Sequence, residues 1–331
     1  MTLAARWHYY RRILPAYLGA GRSQLTFWHE TPEINPQATY AQFGPYYMSF
    51  REKADYAGHY DAAGIPMLDY RGAIGLRYNP IAIAQWGLAN CNILCATGNK
   101  SRRQKTLRAA NWLAAHLEEN THGLWVWNHH FDWDYRETLK APWYSGLAQG
   151  QGISLLLRAY AEARDEKHLE AADRAFVALT KPIAEGGVLF EDKEENSGVK
   201  YLWIEEYLVD PPTHILNGFI WALWGVFDFW LARGDSTARR IFDGGVETLL
   251  HNLARYDTGY WSLYEQTGTG RKMLASPFYH RLHIVQLRVM AALTGEHRFA
   301  DFADCWDGYA KRRANRVRAL VGKSVFKLLY Y

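Results

Sequence analysis

A chain of 331 residues, with 49% hydrophobic and 22% charged residues, has an ordinary globular balance and is long enough for one large domain or two. No apolar run reaches the roughly 18 residues that a bilayer span needs, and the three cysteines form no metal-spaced cluster. The net charge of +4 is modest, whereas the aromatic load of 14 Trp, 22 Tyr and 14 Phe is high. Large helical cores use aromatics as bulk, and sugar-handling clefts use them as flat faces.

The stretch Met1–Arg12 has no apolar region followed by a small-residue cleavage site, so a cytoplasmic location is expected. Residues 20–78 are short, aromatic runs punctuated by Gly and Pro, which reads as strands and loops. Residues 1–78 are therefore expected to pack as an N-terminal region on a helical body. From about residue 79 the pattern becomes helical and paired. Pro80–Ala96 and Ser101–Glu119 form a first pair, with Pro80 suited to a first turn and a break at Gly98. Cys91 and Cys95 fall four apart in the first of these helices and read as buried thiols rather than a disulfide. Ser145–Ala163 and Lys167–Thr180 form the second pair. Thr213–Ala232 and Ser236–Arg255 form the third, with Ser236 as an N-cap, and Tyr279–Thr294 and His297–Ala314 the fourth.

Four helical hairpins joined by long loops at 120–142, 182–212 and 256–278 predict a mainly α fold, an α/α toroid over residues 79–314, rather than a plain bundle. Residues 315–331 are expected as a basic tail. The helix opening at Ser145 carries Gly146, Gly150 and Gly152 in its first turns, each costing about 1 kcal/mol against Ala. Such a cost is tolerated where a neighbouring helix or a ligand must come close, and both readings stay open.

Several polar groups are candidates for acid–base chemistry or for binding. Glu205-Glu206-Tyr207 lies between aromatic runs, where it is either an exposed acidic turn or a pair with a raised pKa suited to a general base. Tyr264 and Tyr279 lie among Arg271, Lys272, His280 and Arg281, and nearby cations favour a phenolate. His280 and His283 stand three apart without a carboxylate ligand set, so no metal site is expected, and they read as carboxylate or hydroxyl donors. Tyr78, Gln85, Gln149, Gln151 and Asn217 can bond sugar hydroxyls or brace helices equally well. Trp143 and Tyr144 are candidates for stacking on a sugar ring.

Four blocks in order carry a specific resemblance: Tyr78–Leu88, the run from Trp143 to Gln151 (Trp-Tyr-Ser-Gly-Leu-Ala-Gln-Gly-Gln), Trp203–Phe219, and Tyr256–Leu287. They resemble the D-glucuronyl C5-epimerases, which turn glucuronic into iduronic acid within heparan-type chains, and the resemblance covers about residues 64–312. The resemblance implies an (α/α)4 barrel and an acidic polysaccharide substrate. It also implies catalytic roles for Glu206, Tyr207, Tyr264 and Tyr279. Inverting C5 needs a base on one face, an acid on the other and donors for the carboxylate, and it requires no redox cofactor. Two departures stand out. The family's Tyr-Asp-Leu-Arg is here Tyr264-Glu265-Gln266-Thr267, leaving Arg271 or Lys272 to replace the Arg. The β-rich insertion that animal members carry before the Trp143 block is reduced here to a helix and the loop Asn120–Ala141.

A polyuronate lyase would share the C5 proton abstraction, and a non-catalytic glycan-binding protein would share the fold. Basic stretches at Arg6–Arg12 and Lys311–Arg318 lack any nucleic-acid recognition motif. They suit peripheral association with an anionic membrane surface, a solvated face that attracts the polyanion, or a homodimer contact.

Overall fold

The computed structural model describes residues 26–28, 30–193, 200–267 and 272–330. The basic stretch Arg6–Arg12 and the expected cation Arg271 lie outside the described residues. The described residues up to Pro32 group with those from Asn252 onward as one compact unit, and Glu33–His251 form the other. These cuts differ from the sequence-drawn boundaries at 78 and 314.

The larger unit opens with a single helical turn, α1 (Arg51–Ala54), and a three-stranded antiparallel sheet of β1 (His59–Tyr60), β2 (Pro66–Asp69) and β3 (Leu76–Arg77). Then come α2 (Pro80–Thr97) and α3 (Lys100–Ala115). The Asn79 side chain accepts from the Ile81 and Ala82 N–H groups, Pro80 occupies the first turn, and Gly98 at φ 65° closes α2. The helix expected to run to Glu119 stops at Ala115, because β4 (Glu118–Glu119) pairs with β5 (Trp125–Val126). A second small hairpin, β6 (Trp133–Asp134) with β7 (Thr138–Leu139), fills the remainder of that loop.

Next are α4 (Gly146–Ala163), capped by the Ser145 hydroxyl, and α5 (Glu166–Ala178), capped by Asp165. The hairpin β8 (Leu189–Lys193) and β9 (Lys200–Ile204) leads into α6 (Leu216–Arg233) and α7 (Ser236–Asn252). The Asp235 carboxylate caps α7 at 2.8 Å from the Ala238 nitrogen, replacing Ser236 as the expected cap. Of the expected pair of buried thiols, Cys91 is buried but Cys95 is exposed. Cys91 hydrogen-bonds the Cys95 sulfur and holds its pKa down, at about 7.

The glycines of α4 set the packing. A methyl on Gly150 would lie 2.6 Å from the Ala222 Cα, and one on Gly225 would overlap the Gly150 carbonyl oxygen. Helices α4 and α6 therefore meet backbone to backbone, at a distance only glycine permits. Gly152 receives the indole of Trp127, which occupies the space a Cβ would need. Further along the same pair, the buried Arg158 guanidinium bonds both Asp228 oxygens at 2.6 and 3.0 Å, and the Tyr47 hydroxyl donates to the same carboxylate at 2.8 Å. Arg158 Nε also donates to the Gly44 carbonyl at 2.9 Å, tying the chain before α1 to the helix pair.

The smaller unit contains the segment Tyr256–Ala275, paired antiparallel at Asp257–Ser262 and Leu263–Leu274, then α8 (Pro277–Thr294) and α9 (His297–Lys311). Ser276 caps α8 and Gly295 at φ 75° ends it. The segment expected as a basic tail is helical, α10 (Arg313–Tyr330), with Ala319, Lys323 and Phe326 buried.

Gly225→Ala should destabilise the fold by about 1–3 kcal/mol or more, since the rigid facing backbone cannot yield. Gly308→Ala, where an added methyl meets nothing within 4 Å in α9, should stabilise by about 0.5–1 kcal/mol. Urea unfolding of the two variants checks both signs.

Candidate active site

Strand β9 delivers two adjacent carboxylates whose surroundings differ completely. The Glu205 nitrogen donates to the Val188 carbonyl at 2.9 Å, and its carbonyl accepts from the Gly146 nitrogen at 2.9 Å. Its fully buried carboxylate takes the His214 backbone N–H at 3.0 Å and the His214 Nδ1 at 2.5 Å. The His214 ring lies flat on Trp203, with centroids 4.2 Å apart. Glu205 thus clamps the turn that enters α6, and this clamp explains why α6 starts at Leu216 instead of Thr213: His214 is held at φ 49°, outside a right-handed helix.

Glu206 faces the first turn of α6. Asn217 Nδ2 donates to its Oε2 at 3.4 Å, and a methyl on Gly218 would overlap that same oxygen, so glycine there makes room for the carboxyl. Burial pushes the Glu206 pKa up, and the neighbouring Glu205 charge adds to this, while hydrogen bonds from Tyr207 and Asn217 pull the other way; the balance is about 8. Both carboxyls are buried, which excludes the exposed acidic turn.

Beside Glu206 stands an aromatic wall. The Tyr207 ring packs on Tyr135 at 4.6 Å and against the Trp143 indole at 5.7 Å. Trp143 in turn stacks on His129 at 3.8 Å and donates its Nε1 hydrogen to the Phe131 carbonyl at 2.8 Å. Burial drives the His129 pKa down to about 3, so that ring is neutral. Tyr135 was not singled out from the sequence, because its place depends on the β6–β7 hairpin.

The other expected binding groups divide. Gln149 is fully buried and spends its amide on the Trp127 nitrogen and the Trp125 and Ala175 carbonyls, at 3.0–3.1 Å. It braces the loop and α5, with both amide hydrogens donated to backbone carbonyls. Gln85 donates to Gln151 at 2.9 Å; both are buried, and Gln85 Oε1 has no protein partner. The Tyr144 hydroxyl is bonded to the Gly186 carbonyl at 2.8 Å, which ties a loop down. Tyr78 donates to Asp61 at 2.7 Å and lines a cavity of about 220 Å³ with Trp112, His116, Asn128, His130 and Phe131.

In the smaller unit, Tyr264 and Tyr279 come together edge to face with ring centroids 4.8 Å apart. The Tyr264 nitrogen is fixed by the Met273 carbonyl at 2.8 Å, and Tyr279 sits in the first turn of α8. His280 does not act as a free donor. Its Nδ1 accepts from the Ser262 N–H at 3.2 Å, so its Nε2 carries the proton and donates to the Trp306 carbonyl at 3.0 Å. Its pKa is pushed down by burial to about 4. His283 shares the Ser262 hydroxyl at 3.0 Å, and its buried Nε2 has no protein partner. Lys272 and Arg281 are exposed. The buried cation is one that the residue pattern did not reveal: Lys323 of α10, whose Nζ lies 5.7 Å over the Tyr264 ring and donates to the Leu274 carbonyl at 2.7 Å. Only the fold brings residue 323 to residue 264, and Gly322 lets α10 settle against Leu274.

The larger unit thus presents a buried carboxyl beside an aromatic wall, and the smaller unit a tyrosine pair. The sequence pattern described as D-glucuronyl C5-epimerase C-terminus matches residues 119–308, and the chain belongs to that family. It is 32% identical over 219 residues to the D-glucuronyl C5-epimerase of Caenorhabditis elegans, covering 61% of this chain and 34% of that protein. It is 28% identical over 192 residues to an uncharacterized protein of Methanocaldococcus jannaschii, covering 58% of this chain and 60% of that one. The chain thus spans about a third of the worm protein's length and three-fifths of the archaeal one's. Among solved structures, cellobiose 2-epimerase from Spirochaeta thermophila superposes with a TM-score of 0.50 at 15% identity, over 75% of this chain and 63% of that one. That likeness is one of fold, and it is the α/α-toroid fold expected from the paired helices.

The Glu206 shift has a stability consequence. The folded state binds this proton more tightly than an unfolded chain with a pKa of 4.5, so the contribution is complete below that value and is lost as pH rises through about 8. The stability of Glu206→Gln relative to wild type should therefore increase from about pH 5 to about pH 9. Urea midpoints across that range test it, and parallel curves would mean that the carboxyl is not shifted.

Proposed function

We propose that this chain is a polysaccharide D-glucuronate C5-epimerase that converts glucuronic to iduronic acid residues in a heparosan-like glycan. The observation that carries this reading is the division of labour between the adjacent carboxyls: Glu205 is committed to His214, and Glu206 is buried against Asn217 and Gly218. Membership of the epimerase family supports it.

In the proposed reaction the C5–H bond breaks, its proton passes to a base, and the electron pair enters the C5–C6 bond to give an enediolate. A proton then arrives at C5 from the opposite face, and the carboxylate is restored with inverted configuration. A base is most effective when its pKa is near the working pH, and Glu206 meets that condition at about 8. Tyr207 hydrogen-bonds this carboxyl and is suited to passing its proton onward. The family resemblance assigns a part in the chemistry to Tyr264 and Tyr279 as well, and these two phenols stand edge to face with ring centroids 4.8 Å apart. The enediolate carries two negative charges, so the carboxylate of the sugar needs cationic or donor contacts, for which Lys272 and Arg281 are available at the surface.

Incubation with unsulfated heparosan in heavy water should place deuterium at C5 and produce iduronate signals by NMR. Glu206→Gln and Tyr279→Phe should each lower the exchange rate by about a hundredfold or more while leaving the fold intact. Because the ionised form of Glu206 accumulates up to about pH 8, kcat/KM should climb with pH to a plateau above that value. Absence of C5 exchange in the wild type would overturn the reading. An unsaturated product absorbing in the ultraviolet would assign a lyase instead.

A further inference from the structure

The C-terminal helix carries two faces with different business. Ala319, Lys323 and Phe326 are buried, and Lys323 reaches the Tyr264 ring. On the opposite side, Val317 (54% exposed), Val321 (56%) and Leu328 (55%) repeat at four and seven residues and line one stripe, with Leu329 (58%) at its edge. Of the seven large hydrophobics exposed among the described residues, these are four.

Charge surrounds that stripe with a single sign. From Gly308 to Tyr331 the chain carries seven Lys and Arg residues and no Asp or Glu. Arg313 lies one turn before Val317 on the same face, and Arg316 and Arg318 flank it. Arg312, Arg313, Arg316 and Arg318 are all exposed. Lys311 is paired with Asp307 at 2.7 Å, and the Arg318 guanidinium stacks 3.7 Å over Tyr260, while the side chains of the apolar stripe are more than half exposed. A solvated helix face would carry polar residues where Val317, Val321 and Leu328 stand. A contact with a soluble polyanion would use the cations but not the valines and leucine. An anionic bilayer surface uses both, with apolar side chains entering the acyl boundary and arginines reaching the headgroups.

We propose that α10 is an interfacial helix that lays its Val317–Val321–Leu328 stripe on an anionic lipid surface. No helix among the described residues is long and apolar enough to cross a membrane, and an interfacial helix of this kind contributes peripheral, reversible binding. Because the buried face of α10 packs on Leu274 and Tyr264, truncating the helix would disturb that neighbourhood, and point substitutions on the exposed stripe are the appropriate probes.

The experiment is flotation of the full chain with vesicles of phosphatidylcholine alone or with about one-third phosphatidylserine, read as protein recovered and without any turnover. Wild type should float with the anionic vesicles only, and recovery should fall steeply as salt rises. The triple variant Arg312→Gln, Arg313→Gln, Arg316→Gln should lose about a hundredfold in partitioning, at about fivefold for each cation. The double variant Val317→Asp, Val321→Asp should lose binding at low salt as well, with an unchanged circular dichroism spectrum and melting curve. Equal recovery on both vesicle types, or wild-type binding by both variants, would overturn the proposal. So would a concentration-dependent dimer abolished by Val317→Asp, Val321→Asp in a protein that binds neither vesicle, which would assign the stripe to a second copy of the chain.

Discussion

Helices α4 and α6 touch through Gly150 and Gly225 with no side chain between them, and the larger unit is arranged around that contact. Close approach there carries the start of α4 to the end of β9, where the Gly146 N–H bonds the Glu205 carbonyl. It also aligns the far ends of the two helices, so that Arg158 and Asp228 can pair in the interior. A buried pair of this kind is more a constraint than a source of stability: its desolvation cost roughly offsets its attraction, but losing either partner strands a charge. The glycines and the ion pair together fix how far α6 stands from α4, and with it where the first turn of α6 stands relative to Glu206.

The contrast between Glu205 and Glu206 arises from that geometry. Both carboxyls are buried, yet one meets an imidazole and a backbone N–H, while the other meets an amide and the gap left by Gly218. Burial outweighs the hydrogen bonds that Glu206 receives from Tyr207 and Asn217, and its pKa rises to about 8. Clamping by Glu205 is therefore as much a part of the site as Glu206 itself, since it holds the turn from which Asn217 and Gly218 project.

In the smaller unit the same logic appears in tyrosines. Tyr264 and Tyr279 are fifteen residues apart in sequence, yet the Leu263–Leu274 pairing and the Ser276 cap bring their rings edge to face. The two histidines of the Tyr-His-x-x-His run turn inward to Ser262 and Trp306, where they lock the segment to α8 and α9. Their residue type suggested donors to substrate, but in His280 both ring nitrogens are already engaged.

Much of this protein was legible in its residues. Local signals set the helices: Asn79 with Pro80, Ser145, Ser276 with Pro277, and the closing glycines 98, 234 and 295 act within a turn or two of their own position. The cost of three glycines at the head of one helix announced a close approach before its partner was known. Motif order pointed to the family and to Glu206, Tyr207, Tyr264 and Tyr279. Other properties depend on what arrives from a distance. The raised pKa of Glu206, the Gln149 bond to the Trp127 backbone, and the burial of Lys323 rather than Lys272 beside Tyr264 were decided by tertiary packing. Burial and hydrogen-bond partners set proton affinity and availability, and both are supplied by residues tens to hundreds of positions away.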